Sequence, residues 1–170
     1  MQKVSEHTDA RAIALDRLAW VRRFHEGILA GVPDDALFVR AGGAGNHAMW
    51  VMGHIASTDA FILNAMGGRA PALPRGFDEL FAGGSKVFDD PGAYPDRAEM
   101  VDALDATRRA LVRWAESLEG EALYAATPED LRPFAPDVIT TLHSLGAHEM
   151  FHAGQVASVR AALGMAPVMF

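Results

Sequence analysis

The chain has 170 residues, half of them hydrophobic, a length that suits one domain over 1–170 burying roughly 70% of its unfolded surface. Its net charge of -7 and pI near 5.4, with no run of Lys or Arg, exclude the basic footprint that nucleic-acid binding needs. There is no cysteine, which excludes disulfides, thiolate ligands and cysteine nucleophiles, so any thiol chemistry must draw on an external thiol. The first helical pattern runs from about Thr8 to Ala30, with Ala14, Leu18, Val21, His25 and Ile28 alternately four and three apart, and Gly31 and Pro33 end it. After AGGAG, Asn46 is placed to cap a second helix that carries Trp50, His54 and Phe61 on one side and stops near Gly67 and Gly68. The connection over 68–95 is too long for a tight turn; it predicts a short helix at FDELF and suits a lid or a dimer contact.

A third helix opens with the Asp96/Glu99 capping box and is expected to bury Met100, Leu104, Leu111, Trp114 or Ala115, and Leu118 before Gly120. Thr127-Pro128-Glu129-Asp130 reads as a short helix start within a second crossover, and the last helix begins after Pro136 and runs to about Leu163. No stretch alternates as a strand, and none is long and apolar enough to span a membrane. The first twenty residues are charged throughout, without an apolar signal core, so the expected location is cytoplasmic. The expected fold is all-α, a four-helix bundle with long crossover connections.

The last helix contains HEMFHAGQ, from His148 to Gln155. H-E-x-x-H places two histidines on one helix face, where they share a metal in zinc proteases with the Glu as general base. Such proteases need a third ligand, often downstream, yet the sequence after His152 contains no Asp, Glu or His. A third ligand must come from another helix, and the second helix offers His54 in NHAMWVMGHIA.

These two motifs together, Asn46, Trp50, Gly53 and His54 followed by His148, His152, Gly154, Gln155 and Arg160, resemble the DinB-like metalloenzyme superfamily. The resemblance implies a four-helix bundle, commonly a homodimer, with a divalent metal held by one His of the second helix and two of the last. On this chain those ligands are His54, His148 and His152. It also implies a range of reactions: relatives transfer low-molecular-weight thiols such as bacillithiol or mycothiol, isomerise maleylpyruvate with a thiol cofactor, or are described as hydrolases.

Three neutral imidazoles leave a divalent charge uncompensated and favour an anion at the open position. Zinc suits such a set best, while nickel, iron and copper also accept imidazole. Glu149 is the candidate catalytic carboxylate, but successive helix residues point about 100° apart, which favours its turning away from the metal to pair with a cation. Trp50 is a candidate pocket wall or a packing residue, Gln155 a candidate either for orienting a ligand or water or for tying helices together, and His25 a core histidine in preference to a fourth ligand. His7, His47 and His143 have no spacing that links them to the three, and Asp59 reads as a surface or interhelix charge. The expected function is a thiol S-transferase in which the metal presents an external thiol to a small-molecule electrophile. The alternatives are a metal-dependent hydrolase using Glu149 or a water, and a non-catalytic metal-binding stress-response protein.

Overall fold

A computed structural model describes residues 10–168. Among these, helix α1 spans Ala10–Ala30, α2 Ala48–Ala65, the short α3 Phe77–Phe81, α4 Arg97–Ser117 and α5 Val138–Ala162. No strand occurs among them, and none of their helices is long and apolar enough to cross a membrane. Thr8, the expected start of the first helix, lies outside the described residues. The crossover over 66–96 contains α3, and the one over 118–137 contains short 3-10 turns, including Glu129–Leu131.

The apolar stripes decide how the helices pack. Ala14 and Leu18 of α1 meet Leu142 and Leu145 of α5, Ile62 and Leu63 of α2, and Leu111 and Ala115 of α4 in one cluster. Ile28 and Leu29 meet Ala153 and Val156, Met49 to Ala56, and Met100 to Leu104 in the other. Because early residues of α1 and α5 share a cluster with late residues of α2 and α4, α1 and α5 run one way and α2 and α4 the other. The first long crossover therefore returns the chain along the bundle to the end where α2 began, whereas the second stays at the end where α1 began and links the end of α4 to the start of α5 there. The pairs α1 with α5 and α2 with α4 make the largest contacts. Of the predicted α4 stripe, Ala115 is buried while Trp114 and Leu118 are half-buried, Leu118 having become the residue that ends the helix.

Caps fix where the helices start. The Asp96/Glu99 capping box forms as expected, and Asp137 caps α5 by accepting from the Thr140 amide at 2.8 Å. Asn46 does not cap α2. His47 does, its Nδ1 accepting from the Trp50 amide at 3.0 Å, because the Asn46 side chain is drawn across to α5 and donates to Gln155 Oε1 at 3.2 Å.

Between the two apolar clusters lies a charged layer to which every long helix contributes. Arg22 and His25 sit between Leu18 and Ile28, Asp59 between Ala56 and Ile62, Arg108 between Leu104 and Leu111, and Glu149 between Leu145 and Ala153. Arg108 Nε lies 2.8 Å from Asp59 Oδ2, and Arg22 Nε lies 2.7 Å from Glu149 Oε1. Arg108 Nη2 is 2.8 Å from Glu149 Oε2, near enough for charge attraction though off hydrogen-bond alignment. Two guanidiniums and two carboxylates leave the layer neutral, as burial of charge requires.

Candidate metal centre

One turn of α5 separates His148 from His152, so both rings leave the same face, and His54 reaches them from α2. His148 Nε2 lies 3.1 Å from His54 Nε2 and 3.1 Å from His152 Nε2. The outer nitrogens are engaged elsewhere. His54 Nδ1 is 2.7 Å from the Phe81 carbonyl, and His152 Nδ1 is 2.9 Å from Gln155 Oε1. Both partners are acceptors, so each Nδ1 carries the proton and each Nε2 presents a lone pair to the cluster. A single N–H on His148 could satisfy one of these lone pairs and not the other. A cation satisfies all three.

The spacing agrees with that chemistry. Metal–nitrogen bonds of about 2.0–2.1 Å at near-tetrahedral angles separate ligand nitrogens by roughly 3.3 Å. Metal binding needs neutral imidazoles, and the site keeps them so. Burial lowers the pKa of all three, to about 4 for His148 and His152; the neighbouring rings add to the effect on those two. The bonds from Gln155 and the Phe81 carbonyl oppose it on His152 and His54 respectively. Among the described residues these three histidines are the group whose ligand atoms converge, and no carboxylate joins them.

Sequence packing explains why His54 is aimed. Gly53 precedes it because the Phe81 ring occupies the space where a Cβ would stand, and that close approach brings the Phe81 carbonyl to His54 Nδ1. Trp50, one turn earlier, stacks on His54 with centroids 4.5 Å apart and planes at 14°. Its Nε1–H donates to the Leu80 carbonyl and Ser85 Oγ, both at 3.0 Å, so the same ring walls the cluster and anchors the crossover. Phe151, 65% exposed, meets His152 edge-on at 5.1 Å.

Glu149 turns into the bundle centre and is fully buried among Arg22, Arg108 and His25. Burial alone would raise its pKa; the His25 hydrogen bond and the two guanidiniums outweigh it and hold the carboxyl well below its usual range. His25 is a core histidine, its Nδ1 3.1 Å from Glu149 Oε1. Asp59 is an interhelix charge and not a surface one, and His143 is exposed. His7 lies outside the described residues. Arg160 closes the far end by donating to the carbonyls of Ile28 and Ala166, each at 3.0 Å.

Sequence reasoning missed Arg22 and Arg108 as partners of Glu149, although each stands four residues after a core leucine on an apolar stripe, which is the available signal. It missed the Phe81 carbonyl outright, since a backbone acceptor leaves no trace in residue type. No curated protein sequence matches the chain significantly. The DinB superfamily profile does match, over residues 17–156, a span that takes in all three histidines, the whole of α2 and most of α5, and the chain belongs to that superfamily.

Proposed function

We propose that this protein is a divalent-metal enzyme that transfers an external low-molecular-weight thiol to a small electrophile, with zinc the best-suited ion. The observation that carries the reading is the convergence of three neutral Nε2 atoms with no carboxylate among them. A divalent ion held there brings a charge that the ligands do not cancel, enough to lower the pKa of a thiol at its open position from the usual 8.5 or so. The neighbouring charged layer does not cancel it either, being neutral in itself. His54 and His152, fixed by Phe81 and Gln155, would set where such a thiol sits, and Trp50 and Phe151 supply apolar surface beside the cluster. In the reaction the sulfur lone pair forms the new bond to carbon, the leaving group departs with its electron pair, and the thiol proton passes to solvent.

The hydrolytic alternative needs a general base. Glu149, the acid nearest the ligands in sequence, is committed to Arg22, Arg108 and His25, which favours the thiol reading. A homodimer located in the cytoplasm, acting on a small molecule and on neither nucleic acid nor membrane, completes the proposal. The test is consumption of a haloarene by metal-loaded protein with bacillithiol, mycothiol, glutathione or coenzyme A. Acceleration that needs both metal and thiol, and that His152→Ala removes, is expected. Turnover of an ester or amide without thiol would replace this reading by hydrolysis, and inactivity throughout by a non-catalytic role.

A further inference from the structure

The first crossover leaves a groove of about 810 Å³ between α2 and residues 71–83. Sites for small organic ligands run from about 300 to 1,000 Å³, so this is room for a molecule and not for an ion alone. Both walls begin next to the histidine cluster. On α2, Thr58, Phe61 and Ala65 continue the stripe of His54 in steps of four, three and four. On the crossover, Ala82 and Gly83 directly follow Phe81, whose carbonyl holds His54.

The chemistry of the walls selects a ligand class. Phe61 is 60% exposed although its stripe buries His54 and Trp50 two and three steps back along α2, and Phe77 of α3, almost wholly buried, is among the lining residues. The charged groups lining it are Asp78 and Glu79; no Lys, Arg or His lines it. Ser57 Oγ donates to Asp78 Oδ1 at 2.9 Å and so holds that carboxylate against the α2 wall. An aromatic surface with two carboxylates and no counter-charge complements a cation on an apolar frame. We propose that this groove binds the body of the enzyme's small-molecule substrate, an aryl or arylalkyl compound bearing an ammonium group that pairs with Asp78 and Glu79. The role assigned to the ligand rests on the enzyme reading given above; the binding itself does not.

The experiment follows backbone amide shifts at low salt, without thiol, in zinc-loaded and in chelated protein. The probes are 2-phenylethylamine and its acidic counterpart 3-phenylpropanoate. The amine is expected to shift amides of residues 57–65 and 76–83 in both metal states and to bind at least fivefold more tightly than the acid. Asp78→Asn, which keeps an acceptor for Ser57, should reduce that preference by about fivefold, the most that an exposed ion pair provides. Phe61→Ala, at an exposed position, should weaken both probes. Equal binding of the two probes, amine binding that vanishes on chelation, or shifts confined to other surfaces would each overturn the proposal. So would a dimer that excludes both probes and dissociates in Phe61→Ala, since the groove would then belong to a second copy. Failure of thiol transfer alone would leave these shifts intact.

Discussion

Phe81 holds His54 twice over: its carbonyl accepts the His54 Nδ1 proton at 2.7 Å, and its ring fills the space beside Gly53. A methyl group at position 53 would overlap that ring, which is fully buried and has nowhere to swing. Gly53→Ala is therefore expected to lift α3, cost about 1–3 kcal/mol of stability and release the acceptor from His54. Loss of such a support weakens metal binding by roughly 10–100-fold. Denaturant unfolding and competition with a chromophoric chelator measure the two effects; parent affinity in the variant would show that Phe81 does not orient the ligand.

Gln155 plays the corresponding part for His152. Gln155→Ala removes the acceptor of the Nδ1 proton and also frees Asn46. The expected result is a roughly tenfold or greater fall in metal affinity with little change in helix content. Chelator competition with circular dichroism on the same samples decides it, and unchanged affinity would reduce Gln155 to an interhelix tie.

The charged layer predicts a stability effect separate from metal binding. Glu149→Gln leaves Arg22 and Arg108 with one carboxylate between them, and breaking a buried pair in this way costs about 3–5 kcal/mol. Asp59 still pairs with Arg108, so the fold should survive in weakened form. Urea unfolding checks the loss. The variant should still bind one metal ion once folded, because the hydrogen bonds and ion pairs of Glu149 go to Arg22, His25 and Arg108 and not to the three histidines; metal loss in a folded variant would tie Glu149 to the site directly.

His47 gives a dependence on pH. It is buried against Phe38, Tyr94 and the 88–89 strap, and its neutral Nδ1 caps α2. Burial lowers its pKa below the usual 6.5; Arg40 adds to this, while the Phe88 carbonyl and Asp89 oppose it. In the pH range below 6.5 the unfolded chain therefore takes up the proton first, and stability is lost as pH falls toward the folded value. His47→Asn keeps a capping acceptor without titrating. Its stability, measured by urea unfolding from pH 7.5 to 5, should fall less steeply than the parent's, and parallel curves would remove His47 as a contributor.

The bundle was legible because its signals are local: four stripes of period 3.6, Gly and Pro stops, and the Asp96/Glu99 box each mark an element with no help from the rest of the chain. A connection over 68–95 too long for a turn announced that the helices do not simply alternate. The three histidines were legible through spacing on α5 and the matching motif on α2. What holds them was legible at Gln155, whose Oε1 meets His152 Nδ1, and not at Phe81. Phe81 contributes a backbone carbonyl from a five-residue helix, and Asn46 was read as a cap because its type suits one, whereas its partner lies 109 residues away. Glu149 shows the same limit, since a helix wheel allows it to turn toward or away from the metal and only Arg22 and Arg108, on other helices, decide which.

Metal content of the purified chain and of three single variants tests the central claim most directly. Elemental analysis should find one divalent ion per parent chain and essentially none in His54→Ala, His148→Ala or His152→Ala, while far-ultraviolet circular dichroism shows that each variant keeps its helices. Full occupancy in any one of the three, or a parent that binds no divalent ion when loaded, would contradict it.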